Sequence, residues 1–355
     1  MVGGEVVERR RPTIREVARL AGVSHQTVSR YLRLDSTIND VMQQRIEQAI
    51  NQLDYRPNLV ARAMRNHKTG RLALVLPSGA AISSLEILTG ATAAAHDAGF
   101  AVEVVTLGGP ADTRAARALE LADSGLFEGL LALTALNLGS QRPSVQATPI
   151  VVVPEYDDQM RGIGELADAS RLGELIESLA EQGHRQFLHL AGDYSHAVAR
   201  HRKETYVATV ERLGLESHGV IDCDWQADRA QQAVLNLPLE TGVTAVIAAN
   251  DVLAAGAISG ATLRGWQIPR HLSVTGWDNN PVGAAMTPAI TTVSVDHERL
   301  GRRSVLQLLA VVQGRPEPED HEPITRIIWR QSTGPASVDR VNGASSSDNR
   351  ESAST

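Results

Sequence analysis

The feature that most constrains the fold is an alternation of strand-length apolar runs with amphipathic helical stretches between residues 72 and about 330. The apolar runs are 72–76, 101–106, 129–133, 150–153, 187–191, 243–249 and 273–276. The helical stretches are 84–98, 113–124, 169–182, 197–213, 228–235, 252–264 and 297–312. Strands that alternate with helices predict parallel sheets of the α/β type. The pattern fits either one large sheet or two smaller lobes.

The residues before this region follow a different pattern, that of a small helical domain. Ile14, Val17, Ala18 and Ala21 share one face at helical spacing, which predicts a first helix. A tight turn at 21–23 precedes Ser24, which is suited to cap a second helix. A third helix is predicted over 40–53, capped by Asn39.

The charge of the chain is divided between these two parts. The formal net charge is -7, which taken alone disfavours nucleic acid as a partner. Residues 1–71, however, carry 13 Lys and Arg against 7 Asp and Glu, a net of +6, and leave -13 on the remainder. A basic module on an acidic body suggests a nucleic-acid-binding head attached to something else.

The first two predicted helices fit a helix-turn-helix. Ala21 and Val23 are small apolar residues where the helices cross, and Val28 lies beneath them. The second helix can then enter the major groove, where Gln26 pairs with adenine and Arg30 with guanine. The predicted contacts with bases and phosphates are Ser24, His25, Gln26, Thr27, Ser29 and Arg30. The alternative is a plain helical hairpin with a solvated polar face.

Several other classes of function lack support. One cysteine, Cys223, excludes a disulfide framework, and the 11 histidines form no metal-spaced cluster, so we expect no metal and no cofactor. Residues 162–167 fit a dinucleotide-binding pattern, but a polar loop precedes them where that motif needs a strand. We therefore expect no enzyme. Without a signal peptide or a membrane-spanning stretch, a cytoplasmic protein is expected.

Most of the chain, from about residue 13 to 328, resembles the lactose-repressor (LacI/GalR) family of transcriptional regulators. The matching stretches are IREVARLAGVSHQTVSR at 14–30, AI at 49–50, Leu53, YRPN at 55–58, AR at 61–62, GHR at 183–185, LAG at 190–192, RHR at 200–202, ND at 250–251 with AG at 255–256, VTGWD at 274–278 and TTV at 291–293. The resemblance implies a small all-α helix-turn-helix head joined by a hinge helix to a two-lobed α/β periplasmic-binding-protein-like domain. It also implies a homodimer that reads a pseudo-palindromic double-stranded operator DNA.

The resemblance assigns further site residues. The hinge helix would fold on DNA through Asn58, Ala61, Arg62 and Met64, with Met64 as the apolar wedge where family members usually have leucine. A small-molecule effector, most simply a sugar, would lie in the cleft between the lobes. Its contacts would be Arg202, Trp225, Asn250 and Asp278, although Trp225 is equally suited to core packing. Asp251 is expected to cap a helix that begins at Val252.

The sequence departs from the family pattern at three places. Met42 and Gln43 replace a common phosphate-binding pair. Pro154 and Glu155 stand where many members have a sugar-binding aspartate, and His297 replaces an aromatic residue of the cleft. The first change removes one expected phosphate anchor, whereas the changes in the cleft indicate an effector different from the familiar ones, or a different mode of binding.

The expected organisation is a DNA-binding domain over 1–57, a hinge over 58–70, a two-lobed effector and dimerisation domain over 71–330, and a disordered tail over 331–355. Lobe crossings are expected near Asp168, Val293 and Thr325. The predicted function is that of a ligand-responsive transcriptional regulator, in the first place a repressor. The alternative is a sugar- or nucleoside-binding receptor of the same lobed fold, which would not need the basic head. The sequence leaves dimer or tetramer open.

Overall fold

The computed structural model describes residues 12–32, 38–55, 69–78, 84–139, 148–238, 240–320 and 322–337. The chain forms two compact units, Met1–Thr69 and Gly70–Thr355. The predicted hinge residues Asn58, Ala61, Arg62 and Met64 lie outside the described residues.

The first unit contains three helices: α1 (Ile14–Ala21), α2 (His25–Tyr31) and α3 (Asp40–Leu53). Thr13 and Glu16 form a capping box at the start of α1, and Asn39 caps α3 by accepting a 2.9 Å hydrogen bond from Met42 N–H. The core is buried between the three helices and consists of Val17, Ala18, Ala21, Val28, Ile46, Ala49 and Tyr55. This small core fixes which face of α2 points outward.

Gly22 ends α1 in the left-handed conformation, with φ of 66°. A residue without a Cβ adopts this conformation at little cost, so the chain can turn sharply between the two helices. Ser24 then caps α2 by accepting a 3.1 Å hydrogen bond from Thr27 N–H. The predicted helix, turn and helix are therefore all present.

The second unit contains two parallel sheets and a small antiparallel pair. The strands are β1 (Arg71–Pro77), β2 (Ala101–Leu107), β3 (Gly129–Ala132), β4 (Ile150–Val152), β5 (Gln186–Ala191), β6 (Glu216–Asp222), β7 (Ala245–Ala248), β8 (Ser273–Thr275), β9 (Thr292–Val295) and β10 (Thr325–Ile328). The first sheet has the order β2-β1-β3-β4 and the second β6-β5-β7-β8, and β9 pairs with β10. The two parallel sheets define an N-lobe and a C-lobe.

Helices cover both faces of each sheet. The helices are α4 (Ser84–Asp97), α5 (Ala111–Asp123), α6 (Ser170–Glu181), α7 (Ala197–Arg212), α8 (Ala227–Leu235), α9 (Asp251–Leu263), α10 (Pro281–Ala285) and α11 (His297–Gln313), with a 3-10 turn at Gly164–Ala167. In the N-lobe, α4 and α11 pack on one face and α5 on the other. Gly90 and Gly301 lie where the backbones of α4 and α11 meet, since a Cβ on either would overlap a carbonyl of the other helix.

The chain crosses between the lobes three times. The first crossing, residues 153–169, includes the 3-10 turn and connects β4 to α6. The second is β9, which leads into α11 of the N-lobe, and the third is β10, which leads back to the C-lobe. These crossings contain Asp168, Val293 and Thr325, the positions expected from the sequence.

Two expectations about this unit need correction. The tail was predicted to be disordered from residue 331, but residues 331–337 pack on the C-lobe. Ser332 is fully buried and donates a 2.6 Å hydrogen bond to the carbonyl of Val274, and Gly334 N–H donates to Ser273 Oγ. The polar composition of the segment hides this, because its hydroxyl and backbone groups bond to the sheet. Residues 338–355 lie outside the described residues.

The second correction concerns elements that apolar patterning did not reveal. β6 is an edge strand with Glu216, Ser217, His218 and Gly219 among its seven residues, so it has no strand-like apolar run. β9 and β10 have only four residues each, too few for a periodic signal. None of the described helices is long and apolar enough to span a membrane.

Candidate functional site

The candidate DNA-reading surface lies on α2. Its core-facing residue, Val28, is fully buried, while His25, Gln26 and Arg30 are exposed. Helical spacing places Gln26 and Arg30 on the face opposite Val28, where they can reach base edges, and His25 lies at the exposed start of the helix. All three are among the residues predicted from the sequence to contact DNA, and all three are accessible.

Three smaller predicted contacts take part in local structure as well. Ser24 caps α2, and its hydroxyl lies 2.9 Å from that of Thr27. Ser29 is half-buried. The exposed N-terminal turn of α2 still presents its backbone N–H groups and positive dipole end, which suit a phosphate.

Arg202 is the most deeply placed of the predicted effector residues. It projects from α7 and is 5 % exposed. One guanidinium nitrogen donates a 2.6 Å hydrogen bond to the carbonyl of Ala249, and Cζ lies 4.3 Å from the ring centroid of Trp277. Burial lowers the pKa of Arg202 to about 10, against the attraction of Asp278 and Asp251. The side chain is held by the fold before any ligand binds.

Asp278 lies near Arg202 but is much more exposed to solvent. Its Oδ1 is 4.0 Å from Arg202, and its side chain is 54 % exposed. The backbone is left-handed here, with φ of 96°, and the N–H of Asp278 donates to the carbonyl of Val293 in the second crossing. The carboxylate therefore faces solvent beside a fixed cation, at the carboxyl end of β8.

The helix cap expected at Asp251 is provided by the preceding residue instead. The cap of α9 is Asn250, whose Oδ1 accepts a 3.0 Å hydrogen bond from Leu253 N–H, and the helix begins at Asp251. The Nδ2 amide of Asn250 is the part of that side chain suited to donate to a ligand. Both residues carry a side chain that can cap a helix, so composition alone could not distinguish them.

Asp251 is buried, and its carboxylate forms hydrogen bonds with two other segments of the chain. Its carboxylate accepts 2.6 Å hydrogen bonds from Thr292 Oγ1 and from Asn280 N–H. Burial raises the pKa of Asp251 to about 6, although these hydrogen bonds act in the opposite direction. The side chain thereby ties α9 to β9 and to the loop that carries Asp278.

Trp225 combines packing with access to the site. Its ring lies against Gly192 at the end of β5, where any Cβ would approach it to 2.3 Å, and it meets His196 edge-on at 5.9 Å. It also packs against the C-lobe core, and its Nε1 is buried without a hydrogen-bond partner. Part of Trp225 is therefore structural, as one of the two sequence interpretations held.

The four predicted effector residues are placed on one side of the C-lobe. Trp225, Asn250 and Asp278 follow the carboxyl ends of β6, β7 and β8, and Arg202 is bonded beside the end of β7. Ligands of open α/β sheets bind at this edge. Arg202 and Asp278 come close together, whereas Trp225 joins a separate group with Gly192 and His196.

Three residues near this site were not among the predicted contacts. Trp277 supports Arg202 and is fully buried, and its position directly before Asp278 was the available signal. His189, on β5, stacks on Tyr206 with ring centroids 5.1 Å apart, and burial lowers its pKa to about 4. Its Nε2 is buried without a partner. A lone histidine within an apolar run gave no sequence signal for this arrangement.

His297 begins α11 beside the site. Burial lowers the pKa of its imidazole, while the nearby carboxylates of Glu86, Asp278 and Asp296 raise it. Its Nδ1 is buried without a hydrogen-bond partner. A neutral imidazole at this position can accept or donate one hydrogen bond to a ligand.

Glu155 does not occupy the role of a free sugar-binding carboxylate. Arg303 of α11 lies 3.2 Å from its Oε1, and both side chains are largely buried. This ion pair explains how a glutamate is accommodated after β4. Among the described residues, no group of three or more His, Cys, Asp or Glu side chains is placed to hold a metal ion.

Two family models match the chain. Residues 13–58 match the model for bacterial regulatory proteins of the lacI family, and residues 176–333 match a periplasmic binding protein-like domain. The matched segments contain α1–α3 and most of the C-lobe, respectively.

Curated relatives align over nearly the whole length. The ribose operon repressor of Halalkalibacterium halodurans is 28 % identical over 90 % of this chain and 97 % of its own. The NTD biosynthesis operon regulator NtdR of Bacillus subtilis is 29 % identical over 91 % and 100 %. The transcriptional repressor PurR of Vibrio atlanticus is 25 % identical over 87 % and 93 %.

Solved structures show the same architecture. The Lac repressor bound to ONPG in its repressed state is 26 % identical, with a TM-score of 0.68 over 91 % of this chain and 100 % of the other. The complex of the regulator CelR with cellobiose is 24 % identical, with a TM-score of 0.54, and shows the fold alone. The chain therefore carries a helix-turn-helix domain of the lacI family of bacterial regulatory proteins, followed by a periplasmic binding protein-like domain, and it is similar over most of its length to bacterial operon repressors.

Proposed function

We propose that this protein is a transcriptional repressor that binds an inverted-repeat operator as a homodimer and responds to a small polyhydroxylated effector in the interlobe cleft. The observation that carries the proposal is the exposed polar face of α2, opposite the buried Val28, in a chain that also has a binding-protein-like domain. A sugar receptor or an enzyme has no use for that surface.

The head supplies specificity through α2. Gln26 matches the donor and acceptor pair of adenine in the major groove, and Arg30 matches the two acceptors of guanine. Thr27, Ser29 and the capped N-terminus of α2 contact phosphates and fix the register. Two heads related by two-fold symmetry then require two inverted half-sites.

The C-lobe supplies the effector contacts. Arg202 is a donor-only fork and Asp278 an acceptor-only carboxylate, 4.0 Å apart, a combination suited to adjacent hydroxyl groups. Asn250 offers its amide, and Trp225 and His196 offer aromatic edges for ring carbons. Relatives named as ribose operon repressors and a structural neighbour with cellobiose support a sugar or a sugar derivative.

Coupling between effector and operator follows from the three crossings. An effector held between the lobes favours one arrangement of the crossings over others, and thereby shifts the population of dimers whose heads fit the operator. The hydrogen-bonding groups of Arg202, Asp278 and Asn250 suit the holding of a ligand, which supports a role in binding.

The experiment that tests this function is a thermal-shift screen of the full chain against sugars, polyols and nucleosides. Each compound that raises the melting temperature is then added to the protein with a DNA fragment selected by the protein itself. A compound that both stabilises the protein and changes its DNA affinity supports the proposal. Stabilising compounds that leave DNA affinity unchanged would favour a simple receptor.

A further inference from the structure

The carboxylate of Glu165 connects the lobe crossings. It lies on the 3-10 turn of the first crossing, and its Oε2 accepts a 2.6 Å hydrogen bond from Arg303 of α11. Its Oε1 accepts a 3.3 Å hydrogen bond from the N–H of Ile324, directly before β10. One side chain thus joins the first crossing to the third and to the helix that follows the second.

The backbone extends this connection. The carbonyl of Ile324 accepts a 2.7 Å hydrogen bond from the N–H of Asp296, which lies between β9 and α11. A chain of contacts therefore runs from Glu165 through Ile324 to Asp296, through all three crossings. Leu166, next to Glu165, and Ile324 both belong to the buried N-lobe core, so these contacts join the three crossings at their N-lobe ends.

Arg303 also binds a second carboxylate. Its guanidinium lies 3.2 Å from Glu155, at the start of the first crossing, and the side chains of Arg303, Glu155 and Glu165 are 14 %, 12 % and 33 % exposed. Burial raises the pKa of Glu155, and the neighbouring Glu165 charge acts in the same direction. Without Arg303, two carboxylates would face each other in a largely dry site, which is costly.

We propose that Arg303, Glu165 and Glu155 form an ionic latch that holds the three crossings in one arrangement and so sets how readily the lobes rearrange. This rests on the proposed function, because the rearrangement is the step through which effector binding would reach the operator. Arg303 is a positioning residue here, and it acts on the crossings without touching the effector.

The latch can be tested without DNA or effector, by hydrogen exchange of the full chain and its Arg303→Met variant. Arg303→Met keeps an apolar stem and leaves Glu165 available to Ile324 N–H. Amides in residues 162–169, 290–297 and 322–328 should then exchange on the order of tenfold faster together, while β1 and β5 keep their protection. A change confined to the segment around residue 303 would overturn the proposal.

The neighbouring Arg302 provides a matched control. It lies on the same helix and pairs with Asp97 of α4 at 3.5 Å, a contact within the N-lobe. Arg302→Met should leave all three crossings as protected as in the wild type, and equal effects of the two variants would contradict a latch. If Arg303→Met does not fold, Glu165→Gln tests the same point, because it retains an acceptor for Ile324 but removes the charge.

A second measurement connects the latch to regulation. Operator affinity of the unliganded protein should differ severalfold between Arg303→Met and Arg302→Met. Faster exchange at the crossings with unchanged operator affinity would overturn the regulatory role of the latch. Absence of sequence-specific DNA binding in the wild type would instead refute the proposed function, so the two failures are distinguishable.

Discussion

The guanidinium of Arg202 lies over the indole of Trp277, with Cζ 4.3 Å from the ring centroid, while it donates to the carbonyl of Ala249. Both contacts are made within the C-lobe. They fix the direction of the remaining N–H groups toward Asp278, so the fork needs little reorganisation to grip a ligand. Arg202 is thus at once part of the core and part of the candidate effector site.

The first prediction concerns this residue. Arg202→Ala should abolish the change in operator affinity caused by the effector and keep operator binding, because Arg202 lies in the second unit and the DNA-reading residues lie in the first. It should also lower the free energy of unfolding by about 2–4 kcal/mol, since a buried cation and its packing are lost. Fluorescence anisotropy with labelled DNA and chemical denaturation measure the two effects. Arg200→Ala, on the exposed face of α7, is the control, and a normal response in Arg202→Ala would remove Arg202 from the site.

The second prediction separates base reading from phosphate binding. Arg30→Ala should lose about 1–3 kcal/mol of discrimination at one base pair of each half-site. Arg62→Ala, a position assigned by resemblance, should weaken binding to all sequences alike. Competition binding with operator and scrambled DNA measures both. An equal loss on operator and scrambled DNA for Arg30→Ala would contradict a base contact.

The third prediction concerns the wedge assigned by resemblance to Met64. Met64→Ala should reduce both the bend of the operator and the affinity for it, because an alanine is too short to separate a base step. Effector binding should not change. Gel mobility of circularly permuted DNA fragments reports the bend, and an unchanged bend angle would remove Met64 from this role.

The fourth prediction follows from the raised pKa of Asp251. A folded pKa of about 6, above the ordinary aspartate value of 3.8, means that the folded state retains a proton that the unfolded state releases. Its contribution to stability is therefore present below about pH 4 and is lost as pH rises through 6, about 3 kcal/mol in all. The difference in unfolding free energy between wild type and Asp251→Asn, measured from pH 4 to 7, should show this slope. A difference that does not vary with pH would refute it.

The fifth prediction has the opposite sign. His189 has a folded pKa of about 4, below the ordinary histidine value of 6.5. As the pH falls, the unfolded state therefore binds the proton before the folded state does. Stability should be present above about pH 6.5 and decline as pH falls toward 4. His189→Phe keeps an aromatic ring against Tyr206 and should lack this decline. Parallel pH profiles of the variant and the wild type would show that His189 is not the responsible group.

The sequence predicted correctly those helices and strands that depend on residues close to one another in the chain. The helix-turn-helix follows from apolar spacing, Gly22 and the Ser24 cap, and the alternating lobes follow from apolar runs such as residues 243–249, where β7 lies. Arg202 and Asp278 were found only through the family resemblance, because nothing in their immediate neighbours predicts that they meet. That likeness also placed the crossings.

The failures have a common origin in long-range contacts. Asn250 rather than Asp251 caps α9, because Thr292 and Asn280, distant in sequence, bind the Asp251 carboxylate. Glu155, which stands beside the position of the family's sugar-binding aspartate, pairs with Arg303, 148 residues later. Hydrogen-bond and ion-pair partners so far apart in the chain leave no signal in a local sequence pattern.

The central claim is that this chain recognises an inverted-repeat operator through α2. The most direct test is repeated selection of random double-stranded DNA by the full-length protein, in parallel with Gln26→Ala and Arg30→Ala, at fixed salt concentration. The account predicts that the wild type enriches two inverted half-sites and that each variant loses preference at one symmetric pair of positions within them. Recovery of unrelated sequences with no inverted repeat, or of the same repeat by all three proteins, would contradict it.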